Sequence, residues 1–128
     1  MLDCFAMMTI LADEPGSTTV TNLLIGAAAG KIFLLMNEVN IGELLYAAKK
    51  KGLREDLDEF LEDLRELPIE WIPVDISLVV AAARIKSTRT LSYADCFAVA
   101  TAMREDALVV TGDPEFRNVE DLVDIEWL

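Results

Sequence analysis

The sequence predicts an α/β fold in which helices cover a parallel sheet, and three observations carry that expectation. Short apolar runs alternate with longer amphipathic stretches, the pattern of strands buried between helical layers. Hydrophobic residues fill 53% of the 128 positions, enough for one substantial core in a single domain spanning 1–128 and too many for a disordered chain. Four acids, Asp3, Glu43, Asp95 and Asp113, fall at or near strand-to-helix or loop-to-helix junctions. In an open α/β sheet the carboxyl ends of neighbouring strands form the crevice where ligands bind.

Along the chain, Met1 to Cys4 reads as a short first strand, followed by an apolar helix ending near Ala12. Asp13-Glu14-Pro15-Gly16 is a turn, after which Ser17 or Thr18 can cap a helix reaching about Ala29, with Gly30 as its stop. Lys31 to Met36 reads as a buried strand. A helix from about Val39 to Lys51 places Ile41, Leu44, Leu45 and Ala48 on one face, and Gly52 ends it. The clearest amphipathic stripe is Leu53, Leu57, Phe60, Leu61, Leu64 and Leu67, a helix closed by Pro68. Ile69 to Val74 is a strand that Pro73 assigns to an edge. Helices over Ile76–Lys86 and Tyr93–Glu105 follow, then a central strand at Leu108–Val110 and a short last strand at Asp124–Trp127.

Charge and composition exclude several classes. The chain carries 11 Lys and Arg against 23 Asp and Glu, for a net charge of −12, so nonspecific phosphate binding is disfavoured and a basic partner is favoured. With no histidine, imidazole general-base chemistry, Ser-His-Asp and Cys-His arrangements and His-based zinc sites are excluded together. Cys4 and Cys96 are too few for a disulfide framework. Apolar runs are broken by Lys31, Arg84 or Asp95 well short of the ~20 residues of a membrane span, and Asp3 precedes any Lys or Arg, unlike a secretory leader. The expectation is a cytoplasmic protein without a membrane partner.

Each of the four acids has two readings. Asp3 can cap the helix after it, Asp95 can form a capping box with Ser92, Glu43 can do so with Asn40, and Asp113-Pro114 can open a turn. Read together, Asp3 ends the first strand and Asp113 follows the strand 108–110, so adjacent strands would bring both to one crest. Glu43 and Asp95 lie in early helical turns that could face it, with Glu38 a competing choice for Glu43. Unit charges 4 Å apart repel by roughly 4 kcal/mol at an effective dielectric near 20, so such a cluster implies a cation or shifted protons. An oxygen-only donor set suits Mg²⁺ or Mn²⁺. Lys49, Lys50, Lys51 and Arg54 form one basic cluster and Arg84, Lys86 and Arg89 another; the helix dipole accounts for the three lysines before Gly52, and phosphate contact beside the acids is the functional alternative. Lys86 and Arg89 approach Asp95 in sequence and are the candidate substrate contacts.

The ordered set resembles a PIN domain, in particular the small ribonuclease toxins of VapBC toxin–antitoxin pairs. Met1-Leu2-Asp3 resembles the family's start, Asn40-Ile41-Gly42-Glu43 followed by Leu44-Leu45-Tyr46 its second acidic motif, Leu91 to Ala100 its third, and Val110 to Phe116 its fourth. The resemblance implies a three-layer α/β/α fold with a five-stranded parallel sheet, its strands in the order 3-2-1-4-5 across the sheet. It implies a Mg²⁺-dependent (or Mn²⁺-dependent) endoribonuclease that hydrolyses RNA phosphodiester bonds through a metal-activated water. Asp3, Glu43, Asp95 and Asp113 would be the metal ligands and catalytic residues, with Thr111 and Ser92 orienting them. It also implies a homodimer and a cognate antitoxin whose basic tail enters the acidic site. The chain departs from the pattern after Asp3, where Cys4 and Phe5 replace the usual hydroxyl residue and the small polar residue that often follows it, and a thiol is a poor hydroxyl substitute. That departure is the one feature favouring the alternative, a catalytically weakened PIN-like module that binds protein or RNA. A phospho-acceptor domain would need a lysine after a late strand, where the chain has Glu126-Trp127-Leu128, and a haloacid-dehalogenase-type phosphatase would need an Asp at Phe5.

Overall fold

The computed structural model describes residues 1–128. Its elements are α1 (Cys4–Leu11), α2 (Ser17–Ala28), β1 (Leu35–Asn37), α3 (Glu38–Lys50), α4 (Leu57–Arg65), β2 (Glu70–Ile72), α5 (Ile76–Thr88), α6 (Tyr93–Arg104), β3 (Val109–Thr111), a 3₁₀ helix (Pro114–Val119) and β4 (Ile125–Trp127). All strand pairing is parallel: β1 with β2 from Leu35–Glu70 to Asn37–Ile72, and β3 with β4 from Val109–Ile125 to Thr111–Trp127.

The expected first strand is reduced to a single bridge, Leu2 beside Val110. The Leu2 amide donates to Leu35 O at 2.8 Å and the Val110 amide to Met1 O at 2.8 Å, so Met1–Leu2 ties the two strand pairs together. Pairing stops there because Asp3 already caps α1, its Oδ1 accepting from the Ala6 amide at 2.7 Å. Neighbouring residues point to opposite faces of a strand. Met1, Leu35 and Val109 accordingly join one apolar cluster with α5 and α6, while Leu2, Met36 and Val110 join another with α1, α3 and α4. Both faces are covered, as parallel sheets require.

Several boundaries move for local reasons. The strand expected at 31–36 begins only at Leu35, and Phe33 before it is 89% exposed. The helix expected from Leu53 starts at Leu57, because Asp56 accepts from the amides of Asp58 and Glu59 and fixes the start there. Neither Ser17 nor Thr18 caps α2; Gly16, in left-handed backbone at φ 100°, opens it without a side-chain cap. Cys4 and Cys96 are both free and lie in clusters on opposite faces of the sheet.

Candidate active site

At the carboxyl ends of the strands the chain leaves a cleft of about 350 Å³, walled by Glu43, Asp95 and Asp113 together with Cys4, Phe5 and Lys51. Three local rules bring these residues together. Asn37 closes β1 and caps α3, its Oδ1 accepting from the Asn40 amide at 2.9 Å, which sets Glu43 on the second turn. The Asn37 Nδ2 donates to Thr101 Oγ1 at 3.0 Å and Asn40 Nδ2 to Ala94 O at 3.1 Å, so two buried amides lock α3 onto α6. Ser92 caps α6 by accepting from the Asp95 amide at 3.1 Å, and its hydroxyl donates to Asp95 Oδ2 at 2.5 Å.

Asp113 caps the 3₁₀ helix by accepting from the Glu115 amide at 2.8 Å, and its own amide donates to the buried Thr111 hydroxyl at 3.0 Å. Asp3 is 1% exposed and does not line the open cleft, although its charge is felt by Asp95 and Asp113. Thr111 therefore stands between Asp3 and Asp113, and Ser92 on Asp95, as orienting hydroxyls. Asp3 and Asp113 thus cap the elements that follow them and Asp95 pairs with its cap Ser92, whereas Glu43 closes no capping box with Asn40, because Asn37 is the cap of α3.

Burial works against ionisation here. It pushes the Asp3 carboxyl up to about 7, tempered by Thr111 and the Ala6 amide and reinforced by the charges of Asp95 and Asp113. Asp95 is pushed up to about 6, first by burial, with Ser92 tempering and Glu43, Asp113 and Glu115 reinforcing. Glu43 is also raised by burial, eased by Asn40 and Tyr46. Asp3 Oδ2 and Glu43 Oε2 are buried without a hydrogen-bond partner in the chain. Burial, with Glu43 beside it, drives the Cys4 thiol far above its usual range, which disfavours its thiolate form.

No three acids close around one point at ligand distance. The donor set is nevertheless all oxygen, partly unpaired and short of positive charge, which fits a hard divalent cation.

The competing acid Glu38 is spent elsewhere, its Oε2 accepting from the Val74 amide at 3.1 Å. Lys86 and Arg89 do not line the cleft. Lys86 Nζ donates to Leu91 O at 2.6 Å, and Arg89 makes a two-pronged contact with Asp121 at 2.9 and 2.6 Å and reaches Asn118 O. Proximity to Asp95 in sequence misled because α5 ends with those side chains directed along the chain to the 90s and to the 118–121 segment. The cation on the cleft wall is Lys51, the C-cap of α3. Sequence spacing could have suggested it: Lys51 is eight residues after Glu43, slightly more than two helical turns, so both share a face. The buried amides Asn37 and Asn40 were also missed, although Asn37 directly before an amphipathic helix is a cap signal.

Parallel strands covered on both faces, with acids gathered at their carboxyl ends, define an open α/β domain rather than a bundle or a barrel, with its crevice at those strand ends. The chain belongs to the PIN domain family, whose profile matches residues 1–122. It is similar in fold to VapBC2 from Rickettsia felis bound to a DNA fragment from their promoter, with a TM-score of 0.74 and 18% identity over 98% of this chain and 96% of that one. It is similar also to DNA-bound VapBC from Salmonella typhimurium, with a TM-score of 0.73 and 20% identity over 98% and 95% of the two chains. VapBC-1 from nontypeable Haemophilus influenzae gives a TM-score of 0.68 and 17% identity over 99% and 96%. No curated protein matches the chain. No helix is long and apolar enough to cross a membrane.

Proposed function

We propose that this PIN domain is a Mg²⁺- or Mn²⁺-dependent endoribonuclease, the toxin of a VapBC-type pair working in the cytoplasm. The observation that carries this reading is the set of raised, partly unpaired carboxyls Asp3, Glu43 and Asp95 beside Asp113. Such groups are costly to bury together and lose that cost when a cation joins them. When bound, the cation supplies Lewis-acid polarisation of the phosphate and an activated water. Asp3, Glu43, Asp95 and Asp113 would hold it, Ser92 and Thr111 keep two of the carboxylates oriented, and Lys51 attracts the RNA backbone into an otherwise repulsive cleft. The same reading takes the two strand pairs and the Leu2 bridge as one sheet in the order 3-2-1-4-5. It gives the chain a homodimeric form and an antitoxin with a basic tail, for which a net charge of −12 is the complement.

The test is cleavage of a structured RNA panel with Mg²⁺, with Mn²⁺ and with EDTA, by wild type, Asp3→Asn and Asp95→Asn. Metal-dependent cleavage lost in both variants supports the reading; cleavage indifferent to EDTA and to both substitutions sinks it. The second reading, a weakened binding module, is favoured by the lack of three acids around one point and by the thiol of Cys4. RNA binding without cleavage at any metal concentration would select it.

A further inference from the structure

Phe5 has no place in the acid chemistry, yet it stands on the wall of the acidic cleft with Glu43, Asp95 and Asp113. It is 37% exposed, while Cys4, Ala6, Met7 and Met8 around it are buried. Its position in the first turn of α1, directly after the buried Asp3 cap, fixes the backbone that carries it. The ring is seated as well. It lies against Gly112, the residue before Asp113, so closely that a Cβ there would sit 3.0 Å from Cζ and nearer still to Cε1. Glycine at 112 is thus the residue that lets an aromatic ring rest on the loop leading to Asp113.

An exposed aromatic ring carried on a helix and resting against Gly112 loses little freedom when a planar group lands on it. Base–aromatic stacking tolerates any base because every base has a π-face. A nucleobase beside a phosphate lying among the carboxylates is the planar group that this cleft would meet.

We propose that Phe5 is a stacking platform for one nucleobase of a single-stranded RNA, seated by Gly112 next to the acids, and so a determinant of where along the strand the cut falls. The proposal rests on the nuclease reading above and adds to it the residue that positions the base. A hydrophobic side chain of other shape can fill the place of Phe5 but cannot stack.

The test uses single-stranded RNA carrying one 2-aminopurine, moved position by position, bound to the full chain with Asp95→Asn so that the strand stays whole. At one position the fluorescence is quenched on binding. Adding Phe5→Leu removes the quench and weakens binding about 5- to 100-fold, the range that loss of one base–aromatic stack implies. Phe5→Tyr restores both, and Phe33→Leu, at the exposed aromatic before β1 and outside the cleft, changes neither. In the chain with Asp95 intact, Phe5→Leu raises KM in the same proportion and leaves kcat unchanged, because a stack made equally in ground and transition states affects binding alone. If Phe5→Leu leaves quench, affinity and KM unchanged while RNA is still cut, the platform is wrong and the nuclease reading stands. If the chain with Phe5 and Asp95 intact neither binds nor cuts RNA in Mg²⁺ or Mn²⁺, both fall together.

Discussion

Both ends of the sheet gather acids, and burial raises carboxyl pKa values at only one of them. At the carboxyl ends of the strands stand Asp3, Glu43, Asp95 and Asp113. At the opposite end Asp106, Glu120, Asp121 and Asp124 surround a hollow of about 540 Å³, larger than the 350 Å³ cleft. The second group is exposed, and Asp121 is held below the usual carboxylate range by the Arg89 guanidinium. Water and an arginine satisfy those acids where they are. Asp3 and Asp95 have been drawn out of water and carry raised pKa values because hydrogen bonds from Thr111, the Ala6 amide and Ser92 only partly offset their burial. The size of a hollow does not single out the functional end, since the larger one lies at the other; the unmet need for positive charge does.

The sharpest way to break this contrast is Asp3→Asn, set against Asp124→Asn. Removing the buried Asp3 carboxylate is expected to lower metal-dependent RNA cleavage by about 100-fold or more, and the exposed substitution is expected to leave it unchanged. Equal losses in single-turnover assays would mean that the two ends are not chemically distinct.

The same variant carries a stability signature of the opposite sign. A carboxyl at 3.8 in the unfolded chain and about 7 in the fold binds more protons folded than unfolded between those pH values. Stability contributed by its protonated form is therefore present at acid pH and lost as pH rises towards 7. At 1.36 kcal/mol per pKa unit, the metal-free chain should lose about 4 kcal/mol through Asp3 over that window. The Met1 amine, lowered to about 6 by burial, works in the other direction between pH 6 and 8, so the difference between variants isolates Asp3. Asparagine can still cap Ala6, and metal-free Asp3→Asn should gain on wild type steadily from pH 4 to 7 in urea melts. A gap independent of pH would refute the raised carboxyl. Mg²⁺ should stabilise wild type more at pH 8 than at pH 5.5, where protons compete, with EDTA reversing the gain.

Much of this end of the molecule was legible in the sequence because its signals are local. A cap, a strand of two or three β-branched residues and a turn each announce themselves within a few positions, so Asp3, Asp95 and Asp113 could be placed at element ends. The reduction of the first strand to one bridge was not legible, because the Asp3 cap and the strand compete for the same backbone and the winner depends on α1 docking. The misplacement of Lys86 and Arg89 has the same origin. A long cationic side chain reaches several ångströms in any direction, and only the packing of α5 against the 118–121 segment decides which acid it meets. The Asn37–Thr101 bond joins residues 64 positions apart and no local pattern encodes it.

Lys51 and Lys86 sharpen the comparison at the next level down. Lys51→Ala should raise KM for RNA several-fold without changing kcat, and lower the salt dependence of binding by about one unit of log–log slope, as loss of one phosphate contact does. Lys86→Ala should leave that slope unchanged, because its ammonium is committed to Leu91 O. Identical slopes for the two variants would remove Lys51 from the substrate path.

The smallest effect belongs to the exposed end, and it is informative because it should be small. Arg89→Ala breaks a two-pronged pair with Asp121 and a bond to Asn118 O. An ion pair this exposed gains little over two hydrated charges and is screened by salt. Thermal melts should therefore show a slight loss of stability at low ionic strength, most of which disappears in high salt, while RNA cleavage stays at the wild-type rate. A loss of cleavage with an intact fold would return Arg89 to the substrate path that its place near Asp95 in sequence suggested. A large loss of stability that salt does not reduce would mean that the pair anchors the 118–121 segment against α5, and that the exposed end does structural work its solvent exposure conceals.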